Sequence, residues 1–230
     1  MEPVILDDIP FALDVDALMR RLHIAPDGAT ADEFRDLARR AQGIARPKAM
    51  YREAYVGARD DAGVIIEGIR FSSRVLRVNL ENIYRIFAYV ATCGRELHAW
   101  AESLDDMLYR FWAEEIKIVA VGAATRALNE HLAARYSPGR TATMHPGSLS
   151  DWPLREQRPL FALLGDPTAA IGVELTPSCL MVPNKSVSGI RFPTEERFES
   201  CQLCQNMDCP NRRAPYDAGL WERKYRLTTP

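Results

Sequence analysis

Near the C-terminal end of the chain, Cys201, Cys204 and Cys209 form a Cys-x2-Cys-x4-Cys array within Ser200 to Arg213. Thiolates at that spacing can share one metal ion or one edge of an iron–sulfur cluster. The chain holds five cysteines in all, so three in so short a run mark out a candidate site. Cys179, in Pro-Ser-Cys-Leu-Met, offers a fourth ligand, with Cys93 as a second choice. Either also reads as a small, buried, apolar side chain. The array has a plainer reading too, as three reduced thiols on a surface loop without metal. Arg212 and Arg213 could offset the negative charge of a thiolate-bound group, or stand as a solvated pair.

The chain around this array has 230 residues, 47% apolar and 26% charged, enough for a sizeable core. Its 29 basic and 31 acidic side chains leave a net charge of −2, which gives no electrostatic reason to expect nucleic acid. Ile118 to Ala124 is too short an uncharged run to cross a bilayer, so no membrane partner is expected. The opening Met-Glu-Pro-Val-Ile-Leu-Asp-Asp is acidic where a secretory signal is basic. The expected location is the cytoplasm, where clustered cysteines favour metal or catalysis over disulfides. There is no phosphate-binding glycine loop, no Gly-x-Ser-x-Gly elbow and no His-Glu-x-x-His, so nothing points to a hydrolase or a nucleotide-binding enzyme.

The elements that must position these residues follow from hydrophobic spacing. Residues 13 to 46 read as two helices, one on Val15, Leu18, Met19 and Leu22, the next on Phe34, Leu37, Ala38 and Ala41. Residues 49 to 72 read as a hairpin turning through Asp60-Asp61-Ala62-Gly63, and Asn82 to Thr92 as a strand. Residues 95 to 135 repeat apolar groups at helical intervals, with Asp105 or Asp106 capping between two helices. Arg140 to His145 reads as a strand, Pro146-Gly147-Ser148 as a turn and Arg155 to Leu164 as a short helix closed by Gly165. Ile171 to Phe192 holds two strand-like runs around Pro183-Asn184-Lys185. Strands joined by hairpins among helices imply an α+β fold with an antiparallel sheet. The expected division is an α+β domain over residues 1–192, helical in 1–48, and a cysteine-bearing appendage over 193–230.

Met181-Val-Pro-Asn-Lys-Ser186-Val-Ser188-Gly189 resembles the Met-x-Pro-x-x-Ser-Val-Ser-Gly signature of the cobalamin-dependent methionine synthase activation domain. Upstream, Gly172-Val-Glu-Leu175-Thr176-Pro-Ser178 is similar to that family's Gly-x-x-Leu-Thr-x-Ser, and Pro146-Gly147 precedes both in the same order. The resemblance implies a C-shaped domain built on a twisted antiparallel sheet flanked by helices. It also implies reductive reactivation of cobalamin carried by a partner, a corrinoid-binding methyltransferase such as methionine synthase, with S-adenosylmethionine as methyl donor. Where the family's donor loop reads Arg-x-x-x-Gly-Tyr, this chain has Thr143-Met144-His145-Pro146-Gly147-Ser148, without the arginine and the tyrosine. The cysteine array is likewise outside the family pattern.

On this reading the binding groove is formed by His145, Pro146, Gly147, Ser148, Lys185, Ser186, Ser188 and Gly189, with no catalytic side chain singled out. Ser186 and Ser188 alternate on one strand, so both hydroxyls could face one ligand, or be small residues needed for packing. Lys185 and His145 could each meet a carboxylate or the corrinoid; each also reads as an ordinary turn or structural residue. Trp152 reads as a stacking wall or a core anchor. His23, His98 and His131 have no metal-like spacing. An iron–sulfur cluster on the cysteines would serve as electron relay for the reactivation, whereas zinc there would only staple the tail. The alternative function is a non-catalytic module or chaperone for a corrinoid protein with structural zinc.

Overall fold

The computed structural model describes residues 2–226. Its centre is a sheet whose neighbouring strands all run antiparallel. The strands are β1 (Val4–Leu6), β2 (Lys48–Arg59), β3 (Val64–Ile66), β4 (Ile69–Phe71), β5 (Arg85–Thr92), β6 (Thr141–Met144) and β9 (Ser186–Pro193), in spatial order β4-β3-β2-β5-β9-β6, with β1 also on β2. A separate two-stranded ribbon pairs β7 (Glu174–Leu175) with β8 (Met181–Val182). The helices are α1 (Val15–Arg21), α2 (Ala29–Ile44), α3 (Arg74–Asn79), α4 (Arg95–Glu102), α5 (Met107–Tyr136), α6 (Gln157–Leu164) and α7 (Pro167–Ile171).

Period-two alternation divides the sheet into two faces, and both are covered. Met50, Ala54, Ile86, Ala88, Val90, Ile190 and Phe192 pack on one side with α3, α6 and Trp152. Ala49, Tyr51, Phe87, Tyr89 and Ala91 turn the other way, onto Ala124, Leu128 and Leu132 of α5. Double coverage explains why Ile86 to Thr92 is buried throughout and shows no polar alternation. A third cluster joins α1, α2, α4 and the first half of α5, where Phe34 meets Trp112 edge-on at 5.3 Å.

Asp106 is the residue that caps α5, accepting from the backbone of Leu108 and Tyr109 at 2.8 and 3.0 Å. The 30-residue helix ends where Ser137 turns left-handed ahead of Pro138. No helix among the described residues is long and apolar enough to cross a membrane. After β9 the chain returns to the first face. Phe198 and the fully buried Tyr225 join that core, and the Tyr225 hydroxyl donates to Asn79 Oδ1 at 3.0 Å.

Hydrophobic spacing gives no signal for β1, α3 or α7, and the region from Ile171 to Phe192 contains three strands, not two. Cys179 lies in the turn between β7 and β8, with φ 66°, and not in a strand.

Gly94 links β5 to α4 with φ 95°, and a Cβ there would stand 2.2 Å from the Arg46 carbonyl oxygen. Gly94→Ala is therefore expected to lower stability by about 2 kcal/mol or more. An unchanged urea midpoint would show that the α2–β2 junction yields freely.

Candidate functional site

The turn that leads into β9 is clamped to α5. Lys185 Nζ lies 3.1 Å from Glu114 Oε2, and Asn184 Nδ2 donates to the same oxygen at 3.0 Å. Glu114 Oε1 accepts from Lys117, whose side chain is wholly buried. The Lys117 ammonium also lies 3.0 Å from His98 Nδ1. An ammonium only donates, so His98 is neutral there and accepts through Nδ1. Burial, and then the neighbouring Lys117 charge, push the His98 pKa down in agreement. Burial alone would raise the Glu114 pKa, but hydrogen bonds from Lys117, Lys185 and Asn184 outweigh it and hold the carboxyl below its usual range. Beside this network the Cys93 thiol is fully enclosed and pushed up to about 11 by burial, so it packs as an inert group.

Ser186 and Ser188 share a face of β9, as their spacing requires, but each hydroxyl is taken up inside the protein. Ser186 Oγ donates to the Pro183 carbonyl at 2.8 Å and touches Thr92 Oγ1 at 2.8 Å. Ser188 Oγ donates to the buried Gln157 Oε1 at 2.7 Å. Val187, Gly189 and Arg191 turn to the opposite face, where Tyr89 lies opposite Gly189 in register. On that side a groove of ≈ 680 Å³ runs between α5 and the start of β9, bordered by Gly122, Thr125, Asn129, Lys185, Ser186 and Val187. Asn129 Oδ1 is buried there with no hydrogen-bond partner.

The loop after β6 closes against the same strand. His145 Nδ1 is 2.8 Å from the Ser188 carbonyl, which can only accept, so Nδ1 carries the proton and Nε2 stays free. Burial lowers the His145 pKa, and the Ser188 carbonyl opposes that only in part. Pro146 is buried, whereas Gly147 and Ser148 are exposed at the tip of a turn held by a 2.7 Å bond from Gly147 N to the Trp152 carbonyl. Trp152 is fully buried, a core anchor and not a stacking wall.

The cysteine loop is organised by Arg212. Its guanidinium donates to the carbonyls of Cys201, Cys204, Asn206 and Ala214, at 2.6 to 3.0 Å. The Arg213 backbone N–H points at Cys201 Sγ, 3.4 Å away. Cys201, Cys204 and Cys209 are half-buried, and Cys179 is buried in its turn. Among the described residues no group of three or more His, Cys, Asp or Glu side chains is placed to hold a metal ion. The donor types suit iron–sulfur or zinc; the present arrangement does not assemble them.

Glu114, Lys117, Tyr89 and Arg191 were absent from the expected site. Glu114 and Lys117 read in sequence as the solvated face of a helix. Arg191 carried a signal, as the one charged side chain in Ser186 to Pro193, two residues past Gly189.

Two outcomes follow from these contacts. Glu114→Gln is expected to destabilise by about 2 kcal/mol, because buried Lys117 loses its counter-charge, whereas Lys117→Met is expected to be near neutral. The Glu114 contribution is present above its unfolded-state pKa of about 4.3 and is lost as pH falls through the lower folded value. Urea melts at pH 7 and pH 3 measure both, and equal losses in the two variants would refute the assignment. Arg212→Lys, which cannot span four carbonyls, is expected to raise the rate at which a disulfide reagent titrates Cys201 and Cys204. An unchanged rate would mean the loop holds itself.

A family model described as vitamin B12 dependent methionine synthase, activation domain, matches residues 73–205. No curated protein matches the chain. Among solved structures, the MetH reactivation domain bound to AdoHcy is similar at 14% sequence identity with a TM-score of 0.60, over 87% of this chain and 81% of that one. At that identity the likeness concerns the fold, an antiparallel sheet flanked by helices. The matched residues run from α3 through the signature strand β9 into the cysteine loop, more than half of the sequence, and they place this chain in the vitamin B12 dependent methionine synthase activation domain family.

Proposed function

We propose that this protein reactivates an oxidised corrinoid carried by a partner methyltransferase of the methionine synthase type. The observation that carries the reading is the family match over residues 73–205, whose signature strand borders the groove between α5 and β9. In this reaction one electron from an external one-electron reductant takes the partner's Co(II) to Co(I). The Co(I) electron pair then attacks the methyl carbon of a sulfonium donor, the S–CH3 bond breaks toward sulfur, and methyl-cobalt and a thioether are left. The corrinoid supplies the bond-forming chemistry, and this chain positions the donor and excludes water. The Glu114 clamp holds Asn184 and Lys185 at one end of the groove, and the His145 loop closes against β9 further along.

The donor is S-adenosylmethionine or a close relative. The MetH reactivation domain of similar fold was solved with AdoHcy, the thioether that such a transfer leaves. The cysteine loop carries no step in this reading. Its thiols are where iron–sulfur or zinc would be held, and a cluster there would supply a low-potential electron. Arg212 ties the loop through its backbone carbonyls, and among the described residues no three donors are assembled, so binding a metal would require Cys201, Cys204 and Cys209 to draw together.

The reading predicts that a corrinoid-binding methyltransferase trapped as Co(II) is converted to methyl-cobalt by this protein, a one-electron reductant and S-adenosylmethionine, followed by its visible spectrum. No conversion above a control lacking this protein would sink it. Iron, zinc and acid-labile sulfide, measured on protein prepared without oxygen, decide the state of the cysteine loop independently of activity.

A further inference from the structure

The turn that carries the first two cysteines is a short 3₁₀ ladder. Gln202 N donates to the Glu199 carbonyl at 2.9 Å, Leu203 N to the Ser200 carbonyl at 3.1 Å, and Cys204 N to the Cys201 carbonyl at 3.3 Å. Side chains three residues apart eclipse in such a ladder. At a rise of about 2 Å per residue, Cys201 and Cys204 stand on one edge with Cα atoms about 6 Å apart, within the roughly 4.4–6.8 Å that a disulfide spans. Both are half-buried, and the stretch that follows, Gln205 to Asp208, is exposed.

The backbone beneath them is fixed from outside the turn. Arg212 donates through Nη1 to the Cys201 carbonyl and through Nη2 to the Cys204 carbonyl, each at 2.8 Å. Asp217 N donates to the Gln202 carbonyl between them at 2.9 Å. These anchors hold oxygens, so joining the two sulfurs breaks none of them. The two thiols are also unequal. Cys201 Sγ accepts the Arg213 backbone N–H at 3.4 Å, and among the described residues it is the one sulfur of the three that accepts such a bond. An N–H donor and the Arg212 guanidinium on the same residue's carbonyl favour the thiolate at Cys201. Cys204 instead packs against the core beside Leu203. A metal site needs three or four donors, and no such group is assembled among the described residues, whereas a dithiol needs this pair alone.

We propose that Cys201 and Cys204 form a thiol–disulfide exchange site whose substrate is a low-molecular-weight disulfide. The Cys201 thiolate attacks one sulfur of that disulfide. Its S–S bond breaks, the first thiolate leaves with the electron pair, and a mixed disulfide remains on Cys201. Cys204 gives up its proton and attacks the Cys201 sulfur, expelling the second thiolate. The two cysteine protons end on the two released thiols, so the pair is oxidised by two electrons and the small disulfide is reduced by two. Excess small thiol reverses both steps, and Cys209 takes part in neither. The assignment stands independently of the methyl-donor reading above.

Oxidised glutathione added to the reduced full-length protein tests it, with the remaining thiols alkylated and located by fragment mass. The unaltered protein is expected to lose two hydrogens, to gain a bridge between Cys201 and Cys204, and to keep Cys209 free for alkylation. Cys204→Ser should stop at a glutathione adduct on Cys201. Cys201→Ser should react at least about tenfold more slowly than the unaltered protein, and Cys209→Ser should match it. The bridge in the unaltered protein needs no variant to fold, and an unchanged urea midpoint qualifies each variant. Adducts spread evenly over the three cysteines, or a bridge that includes Cys209, overturns the pair. Bound iron or zinc that blocks the reaction until a chelator removes it also overturns it, and assigns the thiols to a metal.

Discussion

β9 and the end of β6 come so close at Gly189 that the site depends on that residue having no side chain. A Cβ there would lie 2.4 Å from the Met144 carbonyl oxygen and 3.0 Å from His145 Nδ1. Because the space is empty, His145 folds back over β9 and donates to the Ser188 carbonyl. The same gap lets the His145 ring reach Tyr89 on the next strand. It also leaves Arg191 without a bulky neighbour two residues along its own face. One missing methyl group thus sets the separation of two strands, the direction of an imidazole and the opening around a guanidinium.

Much of this architecture was legible in the sequence because local signals agreed with the fold. The long helix announced itself through its apolar spacing and the Asp106 cap, and the β2–β3 hairpin through Asp60 to Gly63. β1, α3 and α7 escaped notice for a physical reason: three, six and five residues are too few to display a period, and all three are held by neighbours instead of propensity. Alternation placed Ser186 and Ser188 together correctly. It could not say which face of β9 borders a groove, because both faces are covered, one by the core with Gln157 and the other by Tyr89 and the α5 side. A slip of one residue in that reading exchanges Ser188 for Gly189.

The buried Lys117 shows the opposite limit. On α5 it reads as one more charge on a helix with a solvated side. Yet α5 packs against the sheet through Ala124 and Leu128, and against α2 and α4 through Trp112, Ile116 and Ala120. A helix wedged between layers has little free perimeter, so a lysine midway along it must find its partners inside. Glu114 serves by facing two ways, inward to Lys117 and outward to Lys185 and Asn184. An apolar trio could match this arrangement in stability, but it would not tie one helix turn to one particular turn of chain.

Tyr225 has a consequence for how the molecule is made. Its ring closes the same core as Phe198, its carbonyl accepts from Arg74 Nε, and its hydroxyl reaches Asn79, partners more than half the sequence away. During synthesis the earlier strands and helices leave the ribosome with that core unsealed, and apolar surface around α3 and Phe198 stays open to solvent. The segment carrying Phe198 and Tyr225 acts as a latch, so this core can close only after translation has passed residue 225.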